Sequence, residues 1–364
     1  MRKFVNILLW LVSVPAGLGL MASALGGHID PTDWSLPAVA VLMLPVMFPV
    51  TLIVLLADLL WCRKAALWTG CCVAVSLPAI LSAFPMHIGA MREPREDERS
   101  FTLMTWNVMD FLDQSGEYPG DINPSVSYIL REDPDVVCLQ EVEYFSPFEK
   151  SHLRSAQVDS LTRRYPYVLY DGRAMLILSK FPAEFLHTGY INDEYGKGDI
   201  EGCALNVEGE RVALFSVHLR SYYLSASDKQ LYGDLTRLKG ESRLKEVRSD
   251  LVGKVRAAAV GRAGQADALV RIIRKYGGEN VIVCGDFNDV PGCYSLHRLA
   301  DAGFSEVYPS LGFGYMNTYN ARRFLFTIDH VLWRGALEPV RVTRGDIRTS
   351  DHYPLITTFV LTGE

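Results

Sequence analysis

Apolar residues are distributed along this chain in two different ways. Before about residue 90 they form three long, almost unbroken stretches, at 5–25, 37–61 and 65–90. Each is close to the ~20 residues a helix needs to cross a hydrocarbon core. Beyond residue 100 the runs shorten and turn residues punctuate them, at 101–106, 136–139, 174–178, 212–217, 281–284, 328–333 and 355–361. Runs of that length read as strands. Segments with helical spacing fall between them at 126–131, 155–165, 232–260 and 265–276. The alternation predicts an α/β domain over 101–364, preceded by three transmembrane helices in residues 1–90 and a charged linker at 91–100.

Charge sharpens this division. Before residue 91 the only ionic side chains are Arg2, Lys3, Asp30, Asp33, Asp58, Arg63 and Lys64, too few for a water-exposed surface. Arg2 and Lys3 precede the first stretch and Arg63 and Lys64 separate the second from the third, while the loop at 26–35 holds acids without a base. The positive-inside rule then puts the amino terminus in the cytoplasm. Three crossings of a cytoplasmic (inner) membrane carry the domain to the outer, periplasmic side. A cleaved signal peptide is the alternative for the first stretch, but its apolar part exceeds the ~7–15 residues of a signal core. Asp58, near the end of the second stretch, is expected to reach the interface as an anchor.

Removing the four basic and three acidic residues of this region from chain totals of 36 and 42 leaves 32 and 39, a formal charge of −7 for 91–364. Such a balance lacks the basic footprint of a general duplex-DNA binder. The basic stretch at 237–262 reads as a solvated helix face, with a lipid-headgroup or nucleic-acid contact surface as the alternative. Cys62, Cys71 and Cys72 lie in or beside the membrane region, Cys138 and Cys284 sit inside apolar runs, and Cys203 and Cys293 complete an odd count without zinc-site spacing. They are expected to pack as small hydrophobes.

Chemistry gathers at the ends of the strands. Asn107 follows Trp106, Gln140-Glu141 follows Leu139, His218 closes one run, and Asp286-Phe287-Asn288 follows Gly285. Asp329-His330 and Asp351-His352 follow later. Glu141 and Asp351 are hard oxygen donors suited to Mg²⁺, and Asn107 can add a carbonyl oxygen. No nucleophilic Ser or Cys stands in a recognisable context, so attack by water is the natural chemistry. His352 is the candidate base, oriented by Asp329.

In this order the motifs resemble the endonuclease/exonuclease/phosphatase superfamily, which is deoxyribonuclease I-like. They are Leu103-Met104-Thr105-Trp106-Asn107, Asp135-Val136-Val137-Cys138-Leu139-Gln140-Glu141, Ser216-Val217-His218-Leu219, Cys284-Gly285-Asp286-Phe287-Asn288-Asp289, Ile328-Asp329-His330 and Ser350-Asp351-His352-Tyr353-Pro354. The resemblance implies two packed β-sheets flanked by helices, a four-layer sandwich with the site at one end. It implies Glu141 as principal ligand of Mg²⁺ or Mn²⁺, assisted by Asn107 and Asp351, and His352 with Asp329 as a catalytic pair. His218 would contact the phosphoryl group or leaving oxygen, and Asp286 and Asn288 would align the water, which leaves either Asp286 or His352 as base. Some members carry an acid two positions after the first-strand Asn; this chain has Met109 there and Asp110 next, which questions a second metal position. His330 and Asp289 are assigned to packing and a turn cap.

The implied activity is metal-dependent hydrolysis of a phosphate ester or phosphodiester. Membrane anchoring favours a lipid-derived or cell-surface substrate among membrane lipids, with a membrane-tethered nuclease acting on nucleic acid as the second reading. A catalytically silent phosphate-binding module is the reading from another class. No obligate protein partner is evident.

Overall fold

The computed structural model describes residues 2–112, 123–143, 145, 153–191, 198–222, 244–321 and 324–363. Three of its helices are long and apolar enough to cross a membrane. They are α1 (Arg2–Leu25), α3 (Leu44–Trp61) and α4 (Arg63–Ala83), packed together through Leu20, Leu44 and Ile80. The expected second stretch is divided: residues Leu36–Val41 form a separate short helix, α2, and the chain breaks before Pro45 at the start of α3. Proline suits a first helical turn and cannot donate to a preceding one. The third stretch ends early, because Phe84-Pro85 leaves the helix and Met86 bridges to Phe313.

Asp58 departs from the interfacial expectation. It is fully buried among the three helices, where its carboxylate accepts from Ser13 Oγ at 2.9 and 2.8 Å and from Thr69 Oγ1 at 2.7 Å. An acid in this setting is tolerable only with partners, and the two hydroxyls supply them.

The strands form two six-stranded sheets. The first runs β13-β14-β1-β2-β4-β3, from Leu337–Arg344, Leu355–Leu361, Ser100–Asn107, Val136–Gln140, Met175–Ser179 and Tyr167–Leu169 respectively. The second runs β5-β6-β7-β8-β12-β9, from Ala183–Tyr190, Asp199–Val207, Glu210–His218, Val281–Asp286, Asp329–Arg334 and Ser305–Glu306. A small hairpin, β10 (Tyr319–Ala321) with β11 (Phe324–Phe326), stands apart. Leu103, Cys138, Ile177, Leu214, Cys284 and Phe359 pack between the sheets. Helices α5 (Pro124–Glu132) and α6 (Ser155–Arg164) cover the first sheet, and α7 (Leu244–Tyr276) and α8 (Tyr294–Asp301) cover the second. The four-layer arrangement follows, and Cys138, Cys203 and Cys284 sit in its middle as buried thiols.

Each expected strand forms. Those not expected carry weaker patterns: β5 is a half-exposed edge, β6 contains Glu201 and Gly202, and β13 is bulged between Pro339 and Arg341. The expected helices at 232–260 and 265–276 are one helix from Leu244, and 232–243 lies outside the described residues, as does the beginning of the basic stretch. Arg262, at the end of that stretch, is not on a solvated face. It is 1% exposed, pairs with Asp289 at 3.1 Å and lies over the Tyr222 ring at 4.2 Å.

The charged segment after the helices is tied down rather than free. The Arg92 N–H donates to the Val340 carbonyl, and the Arg92 and Arg95 guanidinium groups share Glu98. The helical bundle also docks directly on the sandwich. A 3₁₀ turn at Gly26–His28 comes so close to the Gly292 carbonyl that a Cβ at Gly27 would collide with it. His28 stacks on His297 at 3.9 Å, Tyr294 donates its hydroxyl to Asp30 at 3.0 Å, and Val41 packs on Val290, Cys293 and Ile328.

One interior group is out of keeping with its surroundings. Glu201 on β6 is 1% exposed, pairs in register with Ser216 and has neither carboxylate oxygen in a hydrogen bond. Burial, with Asp171 adding to it, pushes its pKa up to about 9 from an ordinary 4.5. Across that window the folded chain holds a proton that the unfolded chain releases, so this carboxyl weakens the fold progressively as pH rises from about 4.5 to about 9. Glu201→Gln removes that dependence. Its thermal midpoint should match the native one near pH 4 and exceed it by several degrees at pH 8, read by scanning fluorimetry of the full chain in detergent.

Candidate active site

Strand register assembles the site. In the second sheet His218 lies beside Asp286 across the parallel β7–β8 pair, and Asp329 lies opposite Asp286 across the antiparallel β8–β12 pair. One row therefore carries three of the expected groups. In the first sheet Asn107 lies beside Gln140 at the ends of β1 and β2, with Glu141 following at once. Packing the sheets face to face brings the two rows together. Within the second sheet Gly285 lets β8 lie close to β7: with φ 134° a side chain there would be driven into the Val217 carbonyl.

The centre of the arrangement is the Asp286 carboxylate, 1% exposed. Asp286 Oδ1 accepts from the Asn288 backbone N–H at 2.8 Å, and Oδ2 accepts from Asn107 Nδ2 at 3.1 Å. The same Oδ2 lies 3.6 Å from both His218 Nε2 and His352 Nε2. Burial pushes the Asp286 carboxyl up; His352 opposes the rise and Asp329 adds to it. On the far side of His352, Nδ1 meets the Asp329 carboxylate at 2.9 Å. Burial disfavours a charged imidazole there, but Asp329, Asp286 and Asp351 outweigh it and push the pKa up to about 10. The surrounding carboxylates thus favour the imidazolium form of His352 at neutral pH.

Supporting contacts hold these groups still. The Trp106 indole N–H donates to the His352 carbonyl at 2.9 Å, and Ser350 Oγ donates to the Asn107 carbonyl at 2.7 Å. Asn288 Nδ2 donates to the Leu219 carbonyl at 3.0 Å. Glu141 and Asn288 adopt left-handed backbone conformations, φ 56° and 51°, which non-glycine residues visit rarely.

The hard donors fit a divalent cation. The Glu141 side chain is 41% exposed while Asp286 is 2% exposed, so Glu141 is the acid open to an incoming ion. Ligand atoms of Glu141, His218 and Asp286 lie within 4.8 Å of one another, and Asp351 lines the same cavity. Asn107 differs from the expected carbonyl donor: its Nδ2 faces Glu141 Oε1 at 2.9 Å and its oxygen accepts from the Met109 N–H. To serve as a ligand its amide would have to turn over. Asp110 accepts from the Glu143 N–H at 3.1 Å, so in this structure it braces a loop.

His330, expected to serve packing, is buried with Nδ1 2.6 Å from Glu306 and Nε2 2.8 Å from the Asp289 carbonyl. Asp289 does more than cap a turn, since it accepts from Ser295 as well as pairing with Arg262. Sequence reasoning missed Tyr319, whose ring lies 4.9 Å from the His352 ring and whose hydroxyl bonds Asp351. Its only sequence signal is an aromatic in a polar loop. Missed too was the contribution of residues 39–43 to the cavity in front of Asp286.

Comparison with known proteins agrees with this geometry. The pattern of the Endonuclease/Exonuclease/phosphatase family matches residues 104–352. A family member from Beutenbergia cavernae DSM 12333 superposes with a TM-score of 0.51 at 17% identity, covering 73% of this chain and 72% of that one. One from Bacteroides thetaiotaomicron gives 0.47 at 12% identity over 73% and 99%. TDP2 from D. rerio complexed with single strand DNA product gives 0.43 at 18% identity over 71% and 98%. No curated protein matches the chain significantly by sequence. With the family pattern spanning every residue of the row from Asn107 to His352, this chain belongs to the endonuclease/exonuclease/phosphatase family.

Proposed function

We propose that the protein is a membrane-anchored, metal-dependent hydrolase that cleaves a phosphate ester or phosphodiester of a lipid-derived or cell-surface substrate, with its sandwich on the outer side of the membrane. The observation that carries the reading is the convergence of Asn107, His218 and His352 on one oxygen of Asp286, beside the open carboxylate of Glu141. Glu141 and Asp351 would hold Mg²⁺ or Mn²⁺, with Asn107 assisting, and the ion would stabilise charge on the phosphoryl oxygens.

In this mechanism Asp286, aligned by the Asn288 N–H, accepts a proton from water as the water oxygen bonds to phosphorus. The ester P–O bond breaks in the same displacement. His352, kept cationic by Asp329, donates a hydrogen bond to a phosphoryl oxygen, and His218 serves the leaving oxygen. Donors fixed before the reaction need no reorganisation as charge develops. The ends of α1 and α4 and the start of α3 lie toward the sandwich, and the basic pairs lie at the opposite ends. That polarity supports the outer location.

The full chain in lipid nanodiscs with Mg²⁺ should hydrolyse bis-p-nitrophenyl phosphate, and Glu141→Gln should lower kcat by about 100-fold or more. Chelation should abolish the native rate, and added Mg²⁺ should restore it. Equal rates in the two proteins would remove Glu141 from the site. Asp329→Asn takes away a charge that raises the His352 pKa, so the alkaline limb of its pH–rate profile should move to lower pH. Its kcat should also fall, by about 10²–10⁴-fold. An unmoved limb would mean that His352 is not the group that must stay protonated.

A further inference from the structure

The cavity in front of Asp286 has a volume of about 340 Å³, within the range of small-molecule sites. Its polar end is the catalytic row. Its other walls are apolar: Val39, Leu42 and Met43 come from α2 and its exit, Val252 and Val255 from α7, and Phe326 from β11. The membrane region therefore builds part of the site. The contact is firm, because Val41 is buried against Val290 and Ile328, and Arg256 of α7 donates to Ser35 at 2.8 Å.

Neither Lys nor Arg occurs among the described residues that line the cavity. A nucleic-acid backbone is gripped by cations along several phosphates, so this lining suits one phosphate attached to hydrocarbon. The segment that supplies the wall joins two membrane-spanning helices, and Trp34 and Leu36 beside it are exposed. Aromatic and apolar groups at such a position sit at the lipid interface.

We infer that α2 and its exit form the chain-binding wall of the active site, so that the substrate is a phosphoester lipid whose hydrocarbon lies between α2 and α7 while its phosphate meets the catalytic row. The inference rests on the hydrolase reading and adds the substrate class and its specificity-determining residues to it. Val39, Leu42 and Met43 select for hydrocarbon next to the phosphate, and a sandwich cut free of the helices lacks that wall.

The test uses the full chain in nanodiscs and p-nitrophenyl alkyl phosphodiesters with methyl, butyl and octyl groups, each below its micellar concentration. Each fully buried methylene raises kcat/KM by about fourfold, so burial of only three of the seven that octyl adds should make the octyl ester exceed the methyl ester by about 60-fold. Val39→Asn should lower the octyl-to-methyl ratio at least about fivefold. Met43→Ser, at an exposed position, and Val252→Asn, on the facing wall, should do the same, with thermal midpoints reporting folding. A flat native series, or an unchanged ratio in the variants, overturns the chain site while leaving a hydrolase. Single-stranded DNA cleaved in preference to the octyl ester overturns it in favour of a nuclease. Failure to cleave any ester above the Glu141→Gln background overturns the hydrolase reading and this one with it.

Discussion

Asp286 is a buried carboxylate at the edge where two sheets meet, and much of the structure is explained by what it takes to keep it there. Burying an acid without partners is costly, and this one is met by an amide nitrogen, a backbone N–H and two imidazoles. Those partners come from both sheets, so the site exists only when the sandwich closes. Asn107 arrives from the first sheet, and His218 from the strand beside β8 in the second. Gly285 lets β8 lie close enough to β7 for the row to form. The stability of the fold and the geometry of the candidate site here depend on the same contacts.

The charges are arranged as a short relay of opposite signs. Asp329 and Asp286 flank the His352 ring, one at each nitrogen, and together outweigh the burial that would discharge it. Glu201, buried between the same sheets with no hydrogen bond to either carboxylate oxygen, shows the opposite outcome: burial outweighs the opposing pull of Arg173 and its proton stays on. Two buried groups in one domain thus settle in different states. The difference is pairing, since low dielectric strengthens a partnered charge and penalises a lone one.

The bundle of apolar helices packs directly against the sandwich in this structure. Its turn at Gly26–His28 and the helix α2 pack on the loop that follows Asn288, so the chain that positions the candidate site is itself braced by the helical bundle. The buried Asp58, held by Ser13 and Thr69, ties the three long helices to one another at the far end.

Three long apolar stretches, alternating strands and helices, and polar residues at strand ends were all legible in the sequence, because each rests on local rules of burial and periodicity. The candidate residues could be named there because Asn107, Glu141, His218, Asp286, Asn288, Asp329, Asp351 and His352 stand at the ends of apolar runs or within a few residues of them, where a polar side chain has no local use. What the sequence could not determine depends on distance across the fold. The turning of Asn107 toward two carboxylates, the protonation of His352, the Arg262–Asp289 pair and the Tyr319 contact each join groups far apart in the chain. The division of the second apolar stretch into α2 and α3 had a local cue in Pro45, but the use of α2 as a cavity wall did not. Local pattern says which residues must leave water or stay polar; only tertiary packing decides which of them meet, and electrostatics acts on who meets whom.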